Sequence, residues 1–79
     1  MINLIAGLKD RCERYRELEM IRKQIASAQV AYNREKKERY LADIEKGRYA
    51  LEMVLDVLVD IRVITEAEKK PVGDYYGCQ

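Results

Sequence analysis

The chain has 79 residues, a formal net charge of +1 and no histidine, which indicates one small domain without a strong overall excess of charge. Without histidine it lacks the commonest general base, the Ser–His and Cys–His nucleophilic pairs, and a common zinc ligand. We therefore expect a non-enzymatic protein with no catalytic residues, no metal and no cofactor.

Compartment and membrane topology are predicted from the N-terminus, the cysteines and the apolar segments. The first residues, MINLIAGLKDR, contain no secretory cleavage site, so we expect a cytoplasmic protein whose thiols are reduced. Whether Cys12 and Cys78 are ever oxidised stays open. The longest apolar segment is interrupted by acids at four-residue intervals, so no membrane span is expected.

The composition favours an all-α fold, because Glu, Lys, Arg, Leu and Ala are abundant and there is only one proline. We predict two long helices plus a short C-terminal helix, which form a helical hairpin or a coiled coil that dimerises into a bundle. In this prediction, residues 1–70 are the helical domain and residues 71–79 are a C-terminal tail.

The first long helix is predicted from the N-terminus to about Asn33, because apolar side chains recur at heptad-like spacing. Cys12 lies beside this stripe, so we expect it to be a packing residue. The stripe itself consists of Leu4, Leu8, Tyr15, Leu18, Ile25 and Tyr32.

Seven consecutive polar residues, NREKKER, follow at positions 33–39. Either Asn33 caps a second helix and the chain reverses into a hairpin, or one helix continues through the segment as a solvated rod. The basic residues here are candidate partner contacts: Arg34, Lys36, Lys37 and Arg39. A nucleic-acid-associated regulator using segment 34–39 is the alternative function, which the nearly neutral charge disfavours.

The second long helix is predicted to centre on Tyr49–Ile64, where four of sixteen residues are charged. A helix that is apolar on nearly all sides must be covered on nearly all sides, and so short a chain can cover only part of it. We therefore expect a homodimer. The expected oligomer interface consists of Ile44, Leu51, Val54, Leu55, Leu58 and Ile61. Gly47 in the same helix indicates a kink or a close approach of another backbone.

Glu52, Asp56 and Asp60 are spaced by four residues and form one acidic row along this helix. We favour a solvated row over ion pairs with another helix, and we place a metal site last because one row of carboxylates is a poor metal cage. These three acids are also candidate partner contacts.

Thr65 and Glu68 have the spacing of a helix-capping box, which predicts a short helix over Glu66–Lys70 that ends at Pro71. Tyr75 and Tyr76 in the tail either fold back onto the core or belong to a partner-binding surface.

The segment VITEAEKK, placed after an apolar helix, resembles the helix–turn–helix of short C-terminal oligomerisation modules of the SHOCT type. Arg62 and Val63 stand where such modules have a glycine before the Ile-Thr-Glu turn. The resemblance implies oligomerisation.

These features together predict a small protein-interaction module that regulates or inhibits another macromolecule through its helical faces and exposed charge. Its partner is expected to be a protein of unknown identity. Inhibitors of host defence from bacteriophages and mobile elements are proteins of this type, although no motif in the sequence indicates that origin.

Overall fold

A computed structural model of the chain describes the backbone of residues 2–77 and the side chains of residues 4–77. Within this part, the chain is all-helical, as predicted, but it has four helices and not three. In chain order these are α1 (Ile2–Arg11), α2 (Tyr15–Glu35), α3 (Glu38–Asp60) and α4 (Glu66–Tyr76). None of the described helices is long and apolar enough to cross a membrane.

The predicted first long helix is interrupted between α1 and α2. The Tyr15 N–H donates to the Cys12 carbonyl at 3.3 Å, and the neighbouring amides make similar three-residue bonds, so this segment is a tight turn. The interruption brings Ile5 and Leu8 of α1 into the core. The turn contains no Gly or Pro, so the sequence carries no local signal for it.

The chain reverses between α2 and α3, which confirms the hairpin over the rod. Lys36 adopts the left-handed conformation (φ 56°), and its N–H donates to the Tyr32 carbonyl at 2.7 Å. Lys37 is extended and is the N-cap residue of α3, while Asn33 lies inside α2 and is not an N-cap. The left-handed lysine costs about 1–2 kcal/mol, which is small beside the burial that the reversal allows.

The hairpin buries one apolar stripe from each long helix. The α2 stripe consists of Leu18, Ile21, Ile25 and Ala28, and the α3 stripe consists of Ile44, Gly47, Leu51, Leu55 and Leu58. The other helices and the last turn complete the core with Ile5, Leu8, Ile64, Val72 and Tyr76. One side of each long helix is therefore covered by the chain itself.

Gly47 marks a close approach of α3 to a side chain of α2, and not to another backbone as one of its two sequence interpretations predicted. A Cβ atom at Gly47 would lie 2.6 Å from Cγ1 of Ile25, which is fully buried. That carbon is held in the core and cannot move aside easily.

We expect Gly47→Ala to destabilise the fold by about 1–2 kcal/mol, because overpacking exceeds the gain in helix propensity. Gly7→Ala in α1 is the matched control: no atom lies within 4 Å of its added Cβ, so this variant should be more stable by about 0.5–1 kcal/mol. Urea denaturation of both variants measures the difference. Equal shifts of the same sign would contradict the prediction.

Helix α3 ends at Asp60, four residues earlier than the predicted Ile64. Arg62 takes the left-handed conformation (φ 63°), its N–H donates to the Val59 carbonyl at 3.0 Å, and the Val63 N–H donates to the Leu58 carbonyl at 2.9 Å. This is a Schellman ending with arginine where glycine is usual. Because no glycine stands at this position, the sequence carries no local signal for the end of the helix.

Helix α4 begins with the predicted capping box. The Glu68 N–H donates to Oγ1 of Thr65 at 3.2 Å, and the Thr65 N–H donates to the Glu68 carboxylate at 2.9 Å. The predicted end at Pro71 is wrong, because the helix continues through this proline to Tyr76. Pro71 removes one hydrogen bond, to the carbonyl of Ala67, and Ala67 is exposed, so water can replace the bond.

Helix α4 therefore crosses residue 70, after which the sequence predicted a loop-like tail. It packs closely on α3, since a Cβ atom at Gly73 would lie 3.1 Å from Cδ1 of Leu55. The burial of Val72 and Tyr76 is the physical reason that the helix extends beyond Pro71.

Candidate functional site

The six residues predicted as an oligomer interface do not share one exposed surface. Ile44, Leu51, Leu55 and Leu58 are buried in the core of the single chain. Val54 is half-buried against that core, and only Ile61 is exposed. A second chain could reach the four buried side chains only if the packing of α3 opened, because α2 and α4 already pack against this helix.

A different set of apolar side chains is exposed on α3 and in the turn after it. Tyr49, Met53, Val57 and Ile61 are 69%, 54%, 37% and 54% exposed, and they recur at intervals of four residues. We call these four residues the outer stripe. Other exposed apolar side chains, such as Met20 and Val30 on α2, are not joined into a row. Single exposed apolar residues are normal, whereas a continuous row indicates an interaction surface.

The Tyr49–Ile64 segment keeps apolar side chains exposed, as expected, but of the predicted interface residues only Ile61 lies on the exposed side. Periodicity shows that a helix has two apolar sides and cannot show which one α2 and α4 occupy. The exposed side carries Tyr49, Met53 and Val57, none of which was among the predicted site residues.

The four basic candidates lie exposed at the α2–α3 turn, which we call the hairpin tip (residues 34–39). Their charges are partly neutralised by Glu35, whose carboxylate lies 3.8 Å from Arg34 and 3.6 Å from Lys37. The Tyr40 hydroxyl also donates to Glu35 at 3.0 Å. An acid therefore sits at the centre of the basic cluster.

Two tyrosine rings flank the cations of the hairpin tip. The Lys36 ammonium lies 5.3 Å from the Tyr32 ring centroid, and the Arg39 guanidinium lies 4.9 Å from the Tyr40 ring centroid. Arg39 also donates to the Tyr40 hydroxyl at 2.9 Å, and this hydrogen bond is the main reason that the pKa of Arg39 is raised. Two of the four cations of the tip therefore have an aromatic contact.

Helix α4 lies beside two of the three acids of the acidic row. Lys69 of α4 binds the Asp56 carboxylate directly and lies 4.0 Å from Glu52. The hydrogen bond with Asp56 raises the pKa of Lys69. The second sequence interpretation, ion pairing with another helix, thus describes Glu52 and Asp56. Asp60 makes no ion pair with any described residue.

Tyr75 and Tyr76 fold back onto the core, which decides between the two alternatives left by the sequence. The Tyr76 ring is fully buried and meets the Tyr75 ring edge-on, with centroids 4.9 Å apart. Arg22 of α2 stacks over the half-buried Tyr75 ring at 4.3 Å and donates to its hydroxyl at 3.3 Å. Tyr76 therefore anchors α4 and presents no surface to a partner.

Cys12 is a free, half-buried thiol packed beside the core, whereas Cys78 lies outside the described residues. Among the residues that the structure describes, no group of three or more His, Cys, Asp or Glu side chains could hold a metal ion. The outer stripe and the hairpin tip are therefore the two candidate interaction surfaces of the described residues.

Comparison with known proteins returned no matching family model, no matching curated protein and no matching solved structure.

Proposed function

We propose that this chain is a small non-enzymatic protein-interaction module that acts as a homodimer and regulates or inhibits another protein. It would do so by occluding or bridging its target through helical faces and exposed charge. We place it in the cytoplasm, where the free Cys12 thiol would stay reduced. An inhibitor of host defence encoded by a phage or mobile element is one form of this proposal.

The observation that carries this proposal is the outer stripe. Four apolar side chains lie at one-turn intervals along α3 and its C-terminal turn, although the same chain buries its other long apolar row completely. Leaving such a row in water is unfavourable by about 25 cal/mol per Å² of apolar surface. A protein surface that covers the row recovers this free energy, which favours association.

The hairpin tip supports contact with a protein more than contact with nucleic acid. Glu35 lies between the basic groups and already engages Arg34 and Lys37. A phosphate would meet this carboxylate, whereas a protein surface can place acids opposite the outer cations and a donor opposite Glu35. We therefore propose that the tip contacts an acidic surface of the target protein.

The tip is tested by capture of the target from an extract of the source organism, followed by binding measurements with the purified target. We expect the double variant Lys36→Glu/Lys37→Glu to bind the target about tenfold more weakly, because two rim charges are reversed. The control variant Lys23→Glu/Lys70→Glu makes the same charge change at exposed positions on α2 and α4 and should bind as the wild type does.

If the wild type and both double variants bind the target equally, the hairpin tip does not contact it. If no captured protein binds in purified form, the proposed regulation of a protein target is wrong.

The second candidate function is a nucleic-acid-associated regulator, and one observation favours it: Arg34, Lys36, Lys37 and Arg39 are all exposed at one end of the molecule. Binding to a random-sequence duplex at low salt tests it, because phosphate contacts strengthen as salt is lowered. An absence of binding at low salt excludes this function.

A further inference from the structure

Five exposed residues of α3 have a symmetric spacing. Lys46, Tyr49, Met53, Val57 and Asp60 are separated by intervals of three, four, four and three residues, with Met53 at the centre. At about 100° per residue, these side chains lie within about 80° of one another around the helix. They form one narrow row with apolar residues in the middle and opposite charges at its two ends, which we call the symmetric row.

This spacing matches a two-fold axis through Met53. If two copies of α3 pack antiparallel about that axis, Met53 meets Met53, Tyr49 meets Val57, and Lys46 meets Asp60 of the partner subunit. At each end of the contact, one copy would therefore contribute its lysine and the other copy its aspartate, with the apolar side chains of both copies between them. A row with like charges at its ends could not do this.

Neither charge at the ends of the row is used within the chain. Lys46 and Asp60 are separated by about 20 Å along α3 and make no ion pair with the described residues. Asp60 also lies in the last turn of α3, which contains no basic residue, and an acid at that end of a helix is unfavourable. A lysine from a second copy would offset both effects.

The charges also select the register of the contact. A shift of one helical turn would place Lys46 opposite Asp56 of the partner subunit, but Asp56 already binds Lys69 within its own chain. Of Asp56 and Asp60, only Asp60 has no ion pair with the described residues of its own chain, so it can pair with a lysine of the partner subunit. The register centred on Met53 therefore pairs two charges that are not paired within the chain. It also gives the most symmetric arrangement of the apolar side chains.

We propose that the symmetric row of α3 binds the same row of a second copy, antiparallel and centred on Met53, with two Lys46–Asp60 pairs across the interface. This inference rests on the proposed function, which requires association through the outer stripe. Each copy contributes only three apolar side chains, so we expect a contact smaller than the standard interface of about 800 Å² per partner and a dimer with a Kd in the micromolar range or above. The two hairpin tips then lie at opposite ends, about 50 Å apart.

The test uses charge reversal and sedimentation equilibrium of the full chain. Lys46→Glu alone replaces two attractive pairs with two repulsive ones, as does Asp60→Lys alone, and each variant should dimerise about tenfold more weakly or worse. An equimolar mixture of the two variants should recover a dimer, because each chain supplies the charge that the other lost. The double variant Lys46→Glu/Asp60→Lys should also recover its dimer.

Lys70→Glu, which makes the same charge change on α4, is the control and should dimerise normally. All variants should keep the wild-type helicity, since both altered side chains are exposed. A wild-type chain that stays monomeric at millimolar concentration overturns the inference. So does a dimer that neither single reversal weakens, or a mixture that recovers nothing.

Met53→Lys separates these outcomes from failure of the proposed function. If charge reversal has no effect but Met53→Lys abolishes dimerisation or target binding, the register is wrong and the outer stripe remains an interaction surface. If Met53→Lys changes neither, the proposed function loses the observation that carries it.

Discussion

Leu58→Asp is expected to leave the chain unfolded. Leu58 is fully buried on α3, and a carboxylate at this position would lie in the core without a partner. The cost is several kcal/mol, which is comparable to the stability of about 4–12 kcal/mol expected for a chain of this size. Circular dichroism at 222 nm should show little helix and no cooperative urea transition.

The neighbouring substitution Val57→Asp is the matched control. Val57 is 37% exposed on the outer stripe, so its carboxylate would reach water and the chain should keep its helicity. Only the association of the chain should weaken. If Leu58→Asp stays as helical as Val57→Asp, the assignment of the two sides of α3 is wrong.

This pair of variants shows what sequence periodicity can and cannot predict about the two sides of α3. Leu58 and Val57 are both apolar neighbours in the segment that the chain was expected to cover only in part. Which of them is covered depends on where α2 and α4 pack, and that is a property of the tertiary structure. Periodicity predicted that some apolar surface of this segment would stay uncovered, but of the exposed side it identified only Ile61.

Features with a local chemical cause were predictable. The capping box at Thr65 and Glu68 forms because both hydrogen bonds join residues only three positions apart. A close contact at Gly47 was predictable because a helix interior tolerates glycine poorly unless something packs against it, but the contact is with the Ile25 side chain and not with a backbone.

Features set by long-range packing were not predictable. Lys36 and Arg62 adopt left-handed conformations that glycine usually occupies, so neither turn has its usual residue. The break after α1 likewise has no breaker residue, and Pro71 fails to end α4. In each case, local preference is outweighed by the burial of apolar side chains on either side.

The second large effect is expected at Tyr76. Tyr76→Ala removes a fully buried ring that holds the end of α4 against the core, and such truncations cost about 3–5 kcal/mol. Urea denaturation should show a much lower midpoint. Tyr75→Ala is the control: its ring is only half-buried and loses the Arg22 contact and the edge contact with Tyr76, so the cost should be smaller, about 1–2 kcal/mol. Equal losses would contradict the anchoring role of Tyr76.

Tyr76 should also make the fold sensitive to alkaline pH. Burial raises the pKa of its hydroxyl above the ordinary value of 10.0, so the unfolded chain loses this proton at a lower pH than the folded chain does. Below pH 10 both states are protonated and stability is unaffected, whereas above pH 10 the unfolded state is favoured and stability falls until the folded hydroxyl also ionises.

Tyr76→Phe lacks the proton and should lose less stability between pH 9 and 11. The raised pKa values of Lys9 and Lys69 act in the same direction in both proteins, so they largely cancel in the comparison. Parallel stability curves for the two proteins would show that the hydroxyl is not held neutral by burial.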